Sequence, residues 1–327
     1  MRIAERLFLT LLLVPLLLAG CQKADDQPVR RTRMLMGTVV EITAFGPREP
    51  TLAAVDAALD EMARVEQLMS PHVATSDLAL LAERGEVDLH AETAEVLKLA
   101  LDIHKAGDGA FDPTLGAVKE LWGIEGDSPR VPDPEELRTA LAATGVDGLE
   151  LTGNHVRLRR PGIRVDLGGI AKGYAIDRAA AVLQKAGIAH ASVNAGGDLR
   201  LIGDHDGRPW RIGIQHPRKP GEMLAVLPLE GTAVVTSGDY ERYFEVDGRR
   251  YHHLFDPKTG MPARACQSVT VVAERADVAD ALATAAFVLG PERGLALLQL
   301  YHAEGVIIDA GGTAHVSAGL KGQVQWR

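Results

Sequence analysis

The chain has 327 residues, of which 46% are hydrophobic and 24% charged, and it carries a net charge of −9 at neutral pH. This composition excludes a chain that is disordered through most of its length and leaves ample apolar material for a core. Its charges are mixed along the sequence, and an acidic surface without a basic stripe argues against nucleic acid as a partner.

At the N-terminus, Arg2 and Arg6 precede an apolar run from Leu7 to Leu18 that closes on Leu18-Ala19-Gly20-Cys21. A basic start, a short apolar stretch and small residues before a cut read as a signal peptide over residues 1–20, too short for a stable membrane helix. The Leu-Ala-Gly-Cys ending resembles a bacterial lipobox. Cys21 is then the lipidation site and residues 21–33 are the lipidated Cys and a polar tether. This places the folded body, residues 34–327, in the bacterial cell envelope, lipid-anchored and facing the periplasm. With Cys21 lipidated, Cys266 has no partner in the chain and reads as a small core filler.

Alternation from Val39 to Phe45 predicts a strand, with Gly37 allowing close approach at its start. Apolar residues at helical spacing from Leu52 to Met69 predict a helix that Ser70-Pro71 stops, and Ala91–Ala106 reads as a second. Asp112 stands before Pro113 in Ala110-Phe111-Asp112-Pro113-Thr114, so its carboxylate projects from a stiff turn that suits a ligand clamp or a structural corner. A charged, proline-rich loop and a helix from Glu135 to Ala143 follow, then a hairpin of Gly148–Leu151 with His155–Leu158.

The organising stretch is Val165-Asp166-Leu167-Gly168-Gly169-Ile170-Ala171-Lys172-Gly173-Tyr174, a strand end passing through a glycine pair into a helix from Ala171 to about Ala186. Glycines there admit a bulky ligand, and the free N–H groups of a helix start favour negative charge; a tight packing turn is the alternative. Lys172 is followed by Gly173 and not by Ser or Thr, so this is not a P-loop. A second glycine pair beside a carboxylate ends the next strand at Asn194-Ala195-Gly196-Gly197-Asp198. Near the C-terminus Asp277, Asp280 and Thr284 fall on one helix face, hard oxygen donors suited to Mg²⁺, unless Asp277 is simply a cap and Asp280 faces solvent.

Together with Met36-Gly37-Thr38, Thr236-Ser237-Gly238, Arg242-Tyr243-Phe244 and His253 with Asp256-Pro257-Lys258-Thr259-Gly260, these blocks resemble the ApbE family, the FAD:protein FMN transferases. The resemblance implies a single α+β body of mixed sheets and helices that cleaves FAD, releases AMP and links FMN by a phosphoester to a Thr or Ser hydroxyl of an acceptor protein. It further implies Mg²⁺ at the pyrophosphate, held at Ala171, Asp280 and Thr284 with Ala283 adjacent. Met36, Ala110, Phe111, Asp112, Gly168, Tyr174 and Leu254 are the implied FAD contacts; Lys172 is read as a further cofactor-binding residue, and Asp198 and Asp256 as residues that orient the ligand. His72 stands where the family usually has a Tyr, and His253 is the implied base, with His252 its less favoured twin and a structural histidine the alternative. The implied acceptor is a membrane redox subunit. An FAD pyrophosphatase and a non-catalytic flavin-binding protein are the competing readings.

Overall fold

In the computed structural model, which describes residues 27–126, 128–205 and 207–327, eight strands form one antiparallel sheet. They lie side by side in the order in which they occur in the chain: Val29–Leu35, Thr38–Phe45, His190–Ala195, Asp198–Ile202, Ala233–Gly238, Cys266–Ala273, Glu304–Asp309 and Ala314–Val316. The central strand Cys266–Ala273 is buried along its whole length because both faces of the sheet are covered. On one face Val235, Val269, Val271 and Ile307 join the main core with the helices. On the other, Val234, Val272, Val306 and Ile308 meet Trp210, Ile214 and Leu227 of a three-stranded sheet, as the two-residue side-chain period of a strand requires. This is the mixed α and β body expected, and Cys266 sits in it as a buried filler whose thiol burial pushes up to about 12.

The N-terminal boundary differs from expectation. Signal peptide, Cys21 and the first tether residues lie outside the described residues, but Val29–Arg33, expected as tether, belong to the edge strand, which pairs with the next from Val29↔Ala44 to Leu35↔Thr38. Arg30, Arg31 and Arg33 gave this segment its polar look; they line the sheet's edge and reach Glu41, Asp56 and Asp60. Charged side chains on an edge strand discourage pairing with a further chain. Met36 and Gly37 make the turn, both with positive φ (52° and 70°), the geometry a two-residue hairpin loop needs.

The helix Ala171–Lys185 crosses the helix Ala276–Leu289 at Gly173, where a Cβ would lie 2.2 Å from the Ala276 carbonyl oxygen. Each helix caps the other. Asp280 Oδ2 accepts from Gly173 N (3.1 Å), and Asp177 Oδ2 accepts from Ala276 N (2.7 Å) and Asp277 N (3.1 Å). N–H groups that a first turn leaves without partners are thereby satisfied across the crossing. A smaller apolar cluster around Trp122 holds Leu115, Val118, Tyr251 and Phe255, and Trp122 Nε1 donates to Gly260 O at 2.8 Å. It includes the short helix Gly116–Trp122, which the sequence reading did not mark, and it braces the segment that carries His253.

Gly173→Ala must push one helix off the other. The expected result is a loss of about 1–3 kcal/mol, the usual penalty of overpacking a tight contact. Urea unfolding measures it, and an unchanged midpoint would show that the crossing has slack.

Candidate active site

The helix crossing sets the first part of the site. Asp280 is 4% exposed and among the described residues only its Oδ2 is engaged, by Gly173 N; burial pushes its carboxyl above the ordinary range against the pull of Lys172 and the Gly173 N–H. Thr284 stands one turn on, its Oγ1 3.5 Å from Ser237 Oγ. A Cβ at Gly169 would be 3.3 Å from Thr284 Oγ1 and 3.0 Å from the Phe111 ring, so a side chain there would crowd both. Ala171 and Ala283 are buried, and each can offer only its carbonyl. Among the described residues no three His, Cys, Asp or Glu side chains converge as a metal cage. One carboxylate, one hydroxyl and nearby carbonyls instead suit a hard divalent ion completed by phosphate oxygens and water. Asp277 stands apart from this set. Its carboxylate pairs with Arg275 and caps Val278 N (2.7 Å), which is the helix-start role.

Beside this face, Lys172 Nζ pairs with Asp198 Oδ2, while Asp198 Oδ1 accepts from Thr236 N at 3.1 Å. The lysine is thus held at a helix start by a carboxylate that is 2% exposed. Phe111 is buried, and its carbonyl accepts from His104 Nδ1 at 2.8 Å. Asp112 Oδ1 accepts from both Thr114 N (2.8 Å) and Thr114 Oγ1 (2.5 Å), so this carboxylate holds its own turn in shape. Tyr174 is buried and its hydroxyl donates to Glu92 Oε1 (3.1 Å). Gly168 N donates to Asp166 Oδ1 (2.7 Å), which also receives Lys119 Nζ (2.8 Å). Met36 N donates to Glu66 Oε1 (2.9 Å). His72 lies exposed after the first helix, with its N–H on Ser70 Oγ, and makes no side-chain hydrogen bond among the described residues.

The two adjacent histidines have different environments. His252 is 5% exposed and satisfied at both nitrogens: Nε2 donates to Ala263 O (2.9 Å) and Nδ1 accepts from Leu254 N (3.3 Å). It is a structural histidine, and through it Leu254 is fixed in place. His253 is half-buried and among the described residues engages only Nδ1, which donates to Arg242 O (3.3 Å) because a carbonyl can only accept. Its Nε2 is therefore the nitrogen left able to take a proton. Burial, opposed by Glu125 and assisted by Arg242 and Lys119, pushes its pKa down to about 3. Glu125 and Arg242 form an ion pair (Oε1 to Nη1, 2.6 Å), and a Cβ at Gly37 would lie 3.8 Å from the Arg242 guanidinium, so the hairpin turn at Met36 adjoins this group. Lys119 and Glu125 were not singled out from sequence, whereas Asp166 and Gly169 lie in the stretch Val165–Tyr174 that was.

A profile of the ApbE family matches residues 36–317, and the chain belongs to that family. It is 37% identical over 299 residues to the FAD:protein FMN transferase of Vibrio cholerae, covering 87% of this chain and 88% of that protein. The FAD:protein FMN transferase of Rhodobacter capsulatus is 36% identical over 291 residues, but the chain spans only 55% of that relative's length. Among solved structures, an ApbE protein from Thermotoga maritima superposes with a TM-score of 0.85 at 38% identity, over 91% of this chain and 99% of that one. The flavin transferase ApbE from Vibrio cholerae gives 0.80 at 32% identity with the same coverage.

A histidine whose pKa falls from 6.5 to about 3 on folding binds fewer protons in the native state across that window. Stability from this site is complete above pH 6.5 and is lost as the pH falls toward 3. His253→Gln is accordingly expected to lose less stability than the parent between pH 7 and pH 5. Denaturant midpoints of both proteins at the two pH values test this, and parallel losses would contradict the buried-imidazole assignment.

Proposed function

We propose that the chain is an FAD:protein FMN transferase. The reading is carried by membership of a family whose relatives bear that name, and it is supported by one metal-suited face, Asp280 with Thr284, and by a histidine whose Nε2 has no partner among the described residues. In the reaction, the hydroxyl oxygen of an acceptor Thr or Ser attacks the FMN phosphorus of FAD. The phosphoester forms as the bond to the AMP phosphate breaks, and AMP leaves with the electron pair. His253 Nε2 takes the hydroxyl proton, which makes a weak nucleophile competent.

Asp280, Thr284 and a main-chain carbonyl from Ala171, with those of Gly169 and Ala283 close by, would hold Mg²⁺, which supplies neutralisation of the pyrophosphate charge. Lys172, kept in place by Asp198, adds a positive charge at the helix start, where phosphate is favoured. In this reading Phe111, Gly168 and Leu254 contact the flavin nucleotide, together with Met36, Ala110, Asp112 and Tyr174. The acceptor in this reading is a membrane redox subunit. Lipid on Cys21 would keep the enzyme at the same membrane, in the envelope and facing the periplasm.

The test is incubation of the full chain in detergent with FAD, Mg²⁺ and a flavin-acceptor domain, followed by the intact mass of the acceptor. The expected product is heavier by one FMN, and chelator abolishes it. Asp280→Asn is expected to lower transfer by about 10²-fold or more through loss of a metal ligand. His253→Gln should bind FAD normally yet transfer about 10²-fold to 10⁴-fold more slowly. FMN and AMP accumulating beside an unmodified acceptor would identify a pyrophosphatase instead, and full transfer by both variants would defeat the site assignment.

A further inference from the structure

Arg242 touches His253 twice through one atom: its carbonyl oxygen accepts from His253 N (3.2 Å) and from His253 Nδ1 (3.3 Å). What holds Arg242, the Tyr243↔His252 ladder beside its main chain and any clamp on its side chain, therefore bears on the ring. The guanidinium end of the same residue is held by Glu125, which stands at the rim of the site in the loop after the helix Gly116–Trp122, 117 residues away in sequence. We infer that Glu125 is a positioning residue for His253: by clamping Arg242 it keeps the Arg242 carbonyl on Nδ1–H and so presents Nε2 to the incoming hydroxyl. This role rests on the reading of His253 as the base.

The electrostatics point the same way. His253 faces two cations, Arg242 and Lys119, and one acid, Glu125. Burial disfavours ionised Glu125, yet Lys119 and Arg242 hold its carboxyl down to about 2, so the clamp stays charged through the working pH range. Without that acid, the two cations would act unopposed on the ring and weaken it as a proton acceptor. A tautomer set through a neighbour's carbonyl is a common way of choosing which imidazole nitrogen does chemistry.

The experiment compares the full chain with its Glu125→Gln, Arg242→Ala and double variants, adding Glu125→Asp as the conservative replacement. Rates are followed by acceptor mass, and the His253 tautomer by ¹⁵N shifts of labelled histidine at neutral pH. The expected outcome for Glu125→Gln is a kcat lower by about tenfold with KM for FAD little changed, and loss of the uniform Nδ1–H tautomer. Glu125→Asp should recover part of the rate. In the Arg242→Ala background the Glu125 substitution should add almost nothing, since both act through one path. An unchanged tautomer, or an effect confined to KM for FAD, would overturn the inference. A changed tautomer with an unchanged rate would uphold the positioning role and remove His253 as the base, so the two ideas fail separately.

Discussion

The reciprocal capping of two helix starts at Gly173 is the constraint on which the site depends. Asp280 lends a carboxylate to one helix and Asp177 lends one to the other, and the absence of a side chain at Gly173 lets the two backbones meet. Everything that would face a pyrophosphate hangs from this crossing: Lys172 one residue before the glycine, Asp280 across from it, and Thr284 a turn further along. Asp280 illustrates an economy of structure, because one of its oxygens finishes the fold while the other stays uncommitted. Burial disfavours the charge on that carboxylate, and the neighbouring Lys172 offsets part of the cost.

A second, smaller apolar cluster braces the segment that carries His253. The Trp122 cluster anchors the stretch Tyr251–Gly260 by packing and by the indole hydrogen bond to Gly260 O, and this rigid base lets two successive histidines take different jobs. His252 turns inward and spends both nitrogens on the backbone; His253 turns toward the charged rim with one nitrogen spent. Sites built on braced elements hold their geometry more closely than sites on free loops. Here a loop segment gains that quality because an aromatic core lies beneath it.

Much of the scaffold was legible in the sequence because local periodicity and stop signals agreed with the tertiary structure. Ala91–Ala106 came out with its exact ends because helical spacing runs up to Gly107, which closes it. Asp280 and Thr284 were readable as one face because a helix brings residues four apart together. Asp277 was not separable from them in sequence, since Arg275, two residues away, decides which way its carboxylate turns. The strand Val29–Leu35 was hidden by its arginines, whose partners lie on the neighbouring strand and first helix, and the helix Gly116–Trp122 was too short to show a period. Glu125 offered no signal at all. It sits in a charged loop like any solvated acid, and only the fold brings it to Arg242.

The order of strands in the sheet has a consequence for how the chain is made. Thr38–Phe45 and His190–Ala195 are hydrogen-bonded neighbours, from Phe45↔His190 to Val40↔Ala195, yet residues 46–189 are translated between them. Closing so long a loop is paid in chain entropy before any pairing is gained, which makes such contacts late and slow. Until residues 46–189 and the strand after them have emerged, the N-terminal hairpin has its inner edge unsatisfied. The arginines of its outer strand guard one side during that interval, and the nascent helices that follow are the first material available to shield the other.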